Sequence, residues 1–139
     1  MYPLKFEDIL RPMIWGGEEI SRFKQLPEVH PGIGESWEIS QVGDRISVVS
    51  EGEDKGKTIT ELIKLGKHVA ARYADKFPLL IKFIDAHDNL SIQVHPNDEL
   101  AMARHNSFGK TEMWYVIDAK PGAGLYSGFS KQITPAEYV

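Results

Sequence analysis

The chain has 139 residues, 42% of them apolar and 26% charged, a globular balance without a disordered composition. It contains no cysteine, which removes a disulfide framework and any thiolate metal site, and no apolar run near the ~20 residues of a membrane helix. A net charge of −4 argues against nucleic acid as a partner, yet a few cations or backbone N–H groups suffice to hold one small phosphorylated ligand.

The start, Met1 to Lys5, lacks the pattern of a secretory signal, so the cytoplasm is the expected compartment. The first thirty-odd residues read as irregular, broken by Pro3, Pro12, Gly16, Gly17, Pro27, Pro31, Gly32 and Gly34. Residues Ser36 to Val42 and Arg45 to Ser50 read as two strands joined by a Gly43-Asp44 turn. After a polar loop, Thr58 and Glu61 form a capping box that opens a helix over Thr60 to Leu65, with helical structure resuming after Gly66. Leu79 to Ala86 and Leu90 to His95 read as strands, the second stopped by Pro96. Asn97 caps a short helix from Asp98 to about His105. Thr111 to Asp118, rich in aromatic and branched residues, reads as a strand, and Ala123 to Phe129 as another after the Pro121-Gly122 turn. Short strands, turn signals and few helices predict a mainly β fold, an antiparallel barrel or jelly roll.

Thr134-Pro135-Ala136-Glu137 carries a cap, a proline at the first helical position and a capping Glu. One turn does not hold by itself. The expectation is therefore a single domain over residues 1–139, cut short at its C-terminus. An edge left without covering strands then favours self-association.

The chemistry concentrates in two segments. In Leu90-Ser91-Ile92-Gln93-Val94-His95, strand alternation puts Leu90, Ile92 and Val94 on one face and Ser91, Gln93 and His95 on the other. In Lys110-Thr111-Glu112-Met113-Trp114, Lys110, Glu112 and Trp114 share a face. If the two lie close, Gln93, His95 and Glu112 converge, a nitrogen and oxygen set suited to zinc. Spacing leaves the plain alternative open: a wet sheet face with a hydrogen-bonded Glu. His30, His68, His87 and His105 have no partner pattern. Arg11 is a phosphate candidate on charge alone, Trp15 and Glu35 are candidates for a pocket wall, and Glu38 is expected in solvent.

Leu90 to Pro96 closely resembles the Leu-Ser-Ile-Gln-Val-His-Pro segment of type I mannose-6-phosphate isomerases, and Lys110 to Asp118 resembles their Lys-Pro-Glu-Met-Trp-Tyr strand. Trp15-Gly16-Gly17, Gly34-Glu35-Ser36-Trp37-Glu38 and Phe77 to Ala86 resemble further elements of that family, in the same order. The resemblance implies a cupin-type barrel and zinc ligation by Gln93, His95 and Glu112. It implies that Ser91 and Lys110 line the substrate pocket, with Lys110 acting in catalysis. It also implies interconversion of mannose 6-phosphate and fructose 6-phosphate through an enediol. A further His ligand and an Arg of the family fall past residue 139, so this chain is expected to bind zinc weakly and not to turn over. Gly109 and Thr111 stand where larger members carry His and Pro, which points to the shorter bacterial-type subgroup. Two rivals are a cupin that binds metal and a sugar phosphate without turnover, and a metal-dependent oxygenase. Oxygenase sites favour a second His where Gln93 stands.

Overall fold

The computed structural model describes residues 2–67, 73 and 76–138, which divide into two compact units, residues 1–90 and 91–139. His68 and most of the helical structure expected after Gly66 lie outside the described residues.

The first unit holds a three-stranded antiparallel sheet in the order β1 (Ile9–Gly17), β2 (Ile33–Ile39), β5 (Ile81–Ile84). A two-stranded ribbon pairs β3 (Gln41–Val42) with β4 (Arg45–Ile46). The expected hairpin at Gly43-Asp44 is present, with Gly43 at φ +59°, a conformation that glycine tolerates without a Cβ penalty. The expectation of an irregular start is corrected: β1 is the longest strand, followed by helix α1 (Glu19–Phe23). Pro12 sits on an edge strand at a register shift, where a missing N–H costs least, so proline and glycine here mark a bulge rather than a loop.

Register decides which side chains share a face, because opposed residues of an antiparallel pair point the same way. Ile9, Trp37 and Lys82 are aligned, as are Arg11, Glu35 and Ile84, and these make one face. Leu10, Ser36 and Phe83 make the other, which α1 covers: Phe23 meets Phe83 edge-on at 5.1 Å, and Lys24 reaches Ser36 and Glu38. Glu38 is therefore an ion-pair partner at 2.6 Å from Lys24, not the solvated group expected from its position.

Helix α2 (Ile59–Lys64) opens on the predicted capping box and buries Ile59, Leu62 and Ile63. Leu62 is fully buried, so Leu62→Ala is expected to cost about 2–5 kcal/mol, read as a drop in the urea midpoint.

The loop before this helix is tied down by buried Asp54, which accepts hydrogen bonds from Lys57 at 2.6 Å, Lys67 at 3.0 Å and the Tyr2 hydroxyl at 3.1 Å. The Lys57 and Lys67 hydrogen bonds hold the Asp54 carboxyl far below the usual carboxylate range. A carboxylate depressed in the folded state stabilises fully above its unfolded pKa, about 3.9, and loses that contribution as pH falls through the folded value. Asp54→Asn is therefore expected to be less stable at neutral pH, and to lose less further stability than the parent on acidification. Urea unfolding at stepped pH checks this; an unchanged acid limb removes Asp54 from the role.

The second unit holds α3 (Asp98–His105) and α4 (Pro135–Tyr138). Asn97 caps α3 as expected, its side chain accepting from the Leu100 N–H at 2.9 Å, and Asn106 ends it in the left-handed conformation. Thr134 and Glu137 form the predicted bonds around α4. The strands expected at Leu90 to His95, Thr111 to Asp118 and Ala123 to Phe129 are not formed among the described residues. A strand is stable only when a neighbour takes its N–H and C=O groups and covers its apolar side. Here Ile92, Val94 and Met113 are exposed. No helix of the described residues is long and apolar enough to cross a membrane.

Candidate functional site

The second unit brings His95 and Glu112 together although neither segment is in a sheet. The means is local. The Lys110 N–H donates to the Pro96 carbonyl at 3.1 Å, and the Gly109 N–H donates to the Asp98 carboxylate at 2.8 Å. A Cβ on Gly109 would lie 2.5 Å from the Asn97 carbonyl carbon and 2.6 Å from the Asp98 nitrogen. Residues 109–110 thus hang on the turn that starts α3, and only glycine permits so close an approach of two backbones. The departure at Gly109 noted in the sequence is a geometric requirement here.

From that anchor Glu112 reaches both neighbours. Its Oε2 lies 3.1 Å from His95 Nε2 and its Oε1 lies 2.9 Å from Lys110 Nζ. The His95 and Glu112 side chains are mostly shielded, while Lys110 is more open. The Gln93 Nε2 donates to Ser91 Oγ at 2.8 Å, so these two side chains meet although the segment forms no strand. An open cavity of about 500 Å³ adjoins His95, lined also by Pro96, Asn97, Glu99, Leu100 and Ala103. Residue spacing in the sequence gave no sign of that cavity wall.

The donor set fits a metal ion. Nitrogen and carboxylate donors bound at about 2.0–2.2 Å to one ion stand roughly as far apart as this His95–Glu112 pair. The bond from Gln93 Nε2 to Ser91 uses the amide nitrogen, and the amide oxygen is the end of the group with lone pairs to give an ion. Among the described residues no three His, Cys, Asp or Glu side chains gather, and the contact that Gln93 makes is with Ser91.

In the first unit, Glu35 is buried at 7% exposure and bound by Lys82 at 2.7 Å, by the Trp37 indole N–H at 2.8 Å and by Arg11 at 3.4 Å. Burial pushes its carboxyl up, and the bonds from Lys82 and Trp37 outweigh that and hold it below its ordinary value. Trp15 is half-buried beside Gly34. His30, His87 and His105 are exposed.

The profile of phosphomannose isomerase type I, catalytic domain, matches residues 4–122. The chain belongs to the type I phosphomannose isomerase family. It is 40% identical to mannose-6-phosphate isomerase ManA of Bacillus subtilis, over 91% of this chain and 40% of that protein. It is 36% identical to mannose-6-phosphate isomerase of Streptococcus mutans over the same shares. The crystal structure of the mannose 6-phosphate isomerase from Bacillus subtilis superposes with a TM-score of 0.73 at 34% identity, over 86% of this chain and 39% of that one. The chain thus spans about 40% of the length of the curated relatives it matches. Its fold is that of the family, a mainly β cupin type with antiparallel sheets and a few short helices.

Proposed function

We propose that this chain forms the metal-binding portion of a zinc-dependent aldose–ketose isomerase, which interconverts mannose 6-phosphate and fructose 6-phosphate through an enediol. The observation that carries the proposal is Glu112 bridging His95 at 3.1 Å and Lys110 at 2.9 Å, within a chain of this family. Gln93, His95 and Glu112 would hold the zinc, with His95 Nε2 unprotonated. Bound zinc supplies Lewis-acid polarisation of the sugar oxygens. Lys110, an ammonium with no lone pair, acts on substrate instead: it stabilises charge developing on a sugar oxygen or passes it a proton. Ser91 accepts from Gln93 and keeps its own hydrogen for a sugar oxygen. The reaction moves a proton between C2 and C1 and is redox-neutral. The partner is a small sugar phosphate in the cytoplasm, not nucleic acid or a membrane, and an unpaired strand edge lets copies self-associate.

Zinc titration of the purified chain and of His95→Ala, with a coupled isomerase assay of the segment at the full length of its relatives, tests this. The expected result is one saturable zinc site lost in His95→Ala, and turnover abolished by a chelator and restored by zinc. Zinc uptake unchanged in His95→Ala ends the metal reading. Zinc and sugar-phosphate binding without turnover at full length replaces the isomerase by a non-catalytic sugar-binding cupin.

A further inference from the structure

We infer that Arg11 and Arg45, both set against the indole of Trp37, form an anion site that takes a phosphate group. The inference does not rest on the metal reading, since none of these residues belongs to the ligand set.

Trp37 is 5% exposed at the centre of the sheet face shared by Arg11, Glu35 and Lys82. The Arg11 guanidinium carbon lies 4.7 Å from its ring centroid and that of Arg45 lies 5.9 Å away. A guanidinium against an aromatic ring is held by the ring while its N–H donors stay available at the edge. The negative charge on this face comes from Glu35, and Lys82 engages it most closely, at 2.7 Å against 3.4 Å for Arg11. One contact at that length uses little of the donor capacity of Arg11, which has five N–H groups. Among the described residues Arg45 pairs with its chain neighbour Asp44, at 3.2 Å, and that carboxylate is 86% exposed, where an ion pair is worth little.

Arg11, 30% exposed in its side chain, and the more open Arg45 thus flank a face whose one carboxylate Lys82 already matches. Guanidinium groups clustered about one ring make the local potential positive, and a small anion is drawn to it. Arginine forks fit phosphate oxygens in pairs, and the acidic chain as a whole disfavours long polyanions over a small one. Inorganic phosphate and a phosphate ester share this chemistry.

The test follows the indole N–H resonance of Trp37, assigned with Trp37→Phe, at constant ionic strength. The titrants are inorganic phosphate, mannose 6-phosphate, mannose and chloride. Phosphate and mannose 6-phosphate are expected to move the signal saturably, while mannose and chloride do not. Arg11→Gln and Arg45→Gln should each weaken the affinity about tenfold or more, as expected for a lost charged hydrogen bond. Arg22→Gln, whose guanidinium pairs with Glu18 and Glu19 on α1, should leave it unchanged. Tighter binding of mannose 6-phosphate identifies the ester as ligand; equal binding identifies the free ion. Arg45 is on an exposed hairpin, so Arg45→Gln stays informative if Arg11→Gln fails to fold. No saturable shift in a folded chain, or a shift kept by Arg45→Gln at parental affinity, overturns the inference.

Discussion

Lys110→Met, placed in a protein of the full length of the relatives, is expected to lower turnover by roughly 10²–10⁴-fold while zinc content stays at the parental level. The argument is geometric. Lys110 Nζ sits 2.9 Å from Glu112 Oε1, so it is held beside the proposed ligands, yet a protonated amine cannot ligate. Methionine keeps most of the apolar stem and removes only the charge and its donors, so packing changes little. The loss should appear in kcat more than in KM, because a group that stabilises developing charge acts in the transition state. Zinc measured by atomic absorption, alongside steady-state kinetics, separates the outcomes. Parental turnover makes Lys110 an ordinary ion-pair partner of Glu112, and loss of zinc together with turnover makes it a support of the metal site.

What the sequence made legible was what is settled within a few residues. Thr58 with Glu61 and Asn97 with Leu100 are side-chain-to-backbone bonds three residues apart, and both caps stand as read. Groups whose partners are distant along the chain were not legible. Glu38 read as solvated because Lys24 lies 14 residues away, and nothing in the local pattern announces it. The meeting of His95 with Glu112 was legible through motif resemblance, not through spacing. Its cause is the seat of Gly109 on the Pro96–Asp98 turn, a steric fact that no periodicity encodes. Apolar alternation at Leu90 to His95 and Thr111 to Asp118 reported a tendency to pair. Pairing itself needs a neighbour, and the described residues supply none.

The glycines near the start carry the other large effect. Gly16→Ala is expected to destabilise the first unit by about 3 kcal/mol or more, beyond the usual range for overpacking. The far end of β1 bulges across β2: Gly16 bridges Ala86 past the end of β5, and the Trp15 carbonyl accepts from the His87 and Asp88 N–H groups at 2.9 and 3.2 Å. That crossing runs directly over the Gly32–Gly34 backbone. A Cβ on Gly16 would overlap the Gly32 carbonyl oxygen and the Gly34 nitrogen, and would sit 2.7 Å from the Gly32 carbonyl carbon. All three are backbone atoms of a strand or its entry, so none can swing aside as a side chain does. Gly17→Ala meets the Asp85 carboxylate instead, a side chain that can rotate at the expense of its 2.7 Å bond from the Glu19 N–H. The expected order of urea midpoints is therefore parent, then Gly17→Ala, then Gly16→Ala. If Gly16→Ala unfolds at the parental midpoint, the crossing is not what closes this end of the sheet, and the Trp-Gly-Gly motif needs a different physical reason.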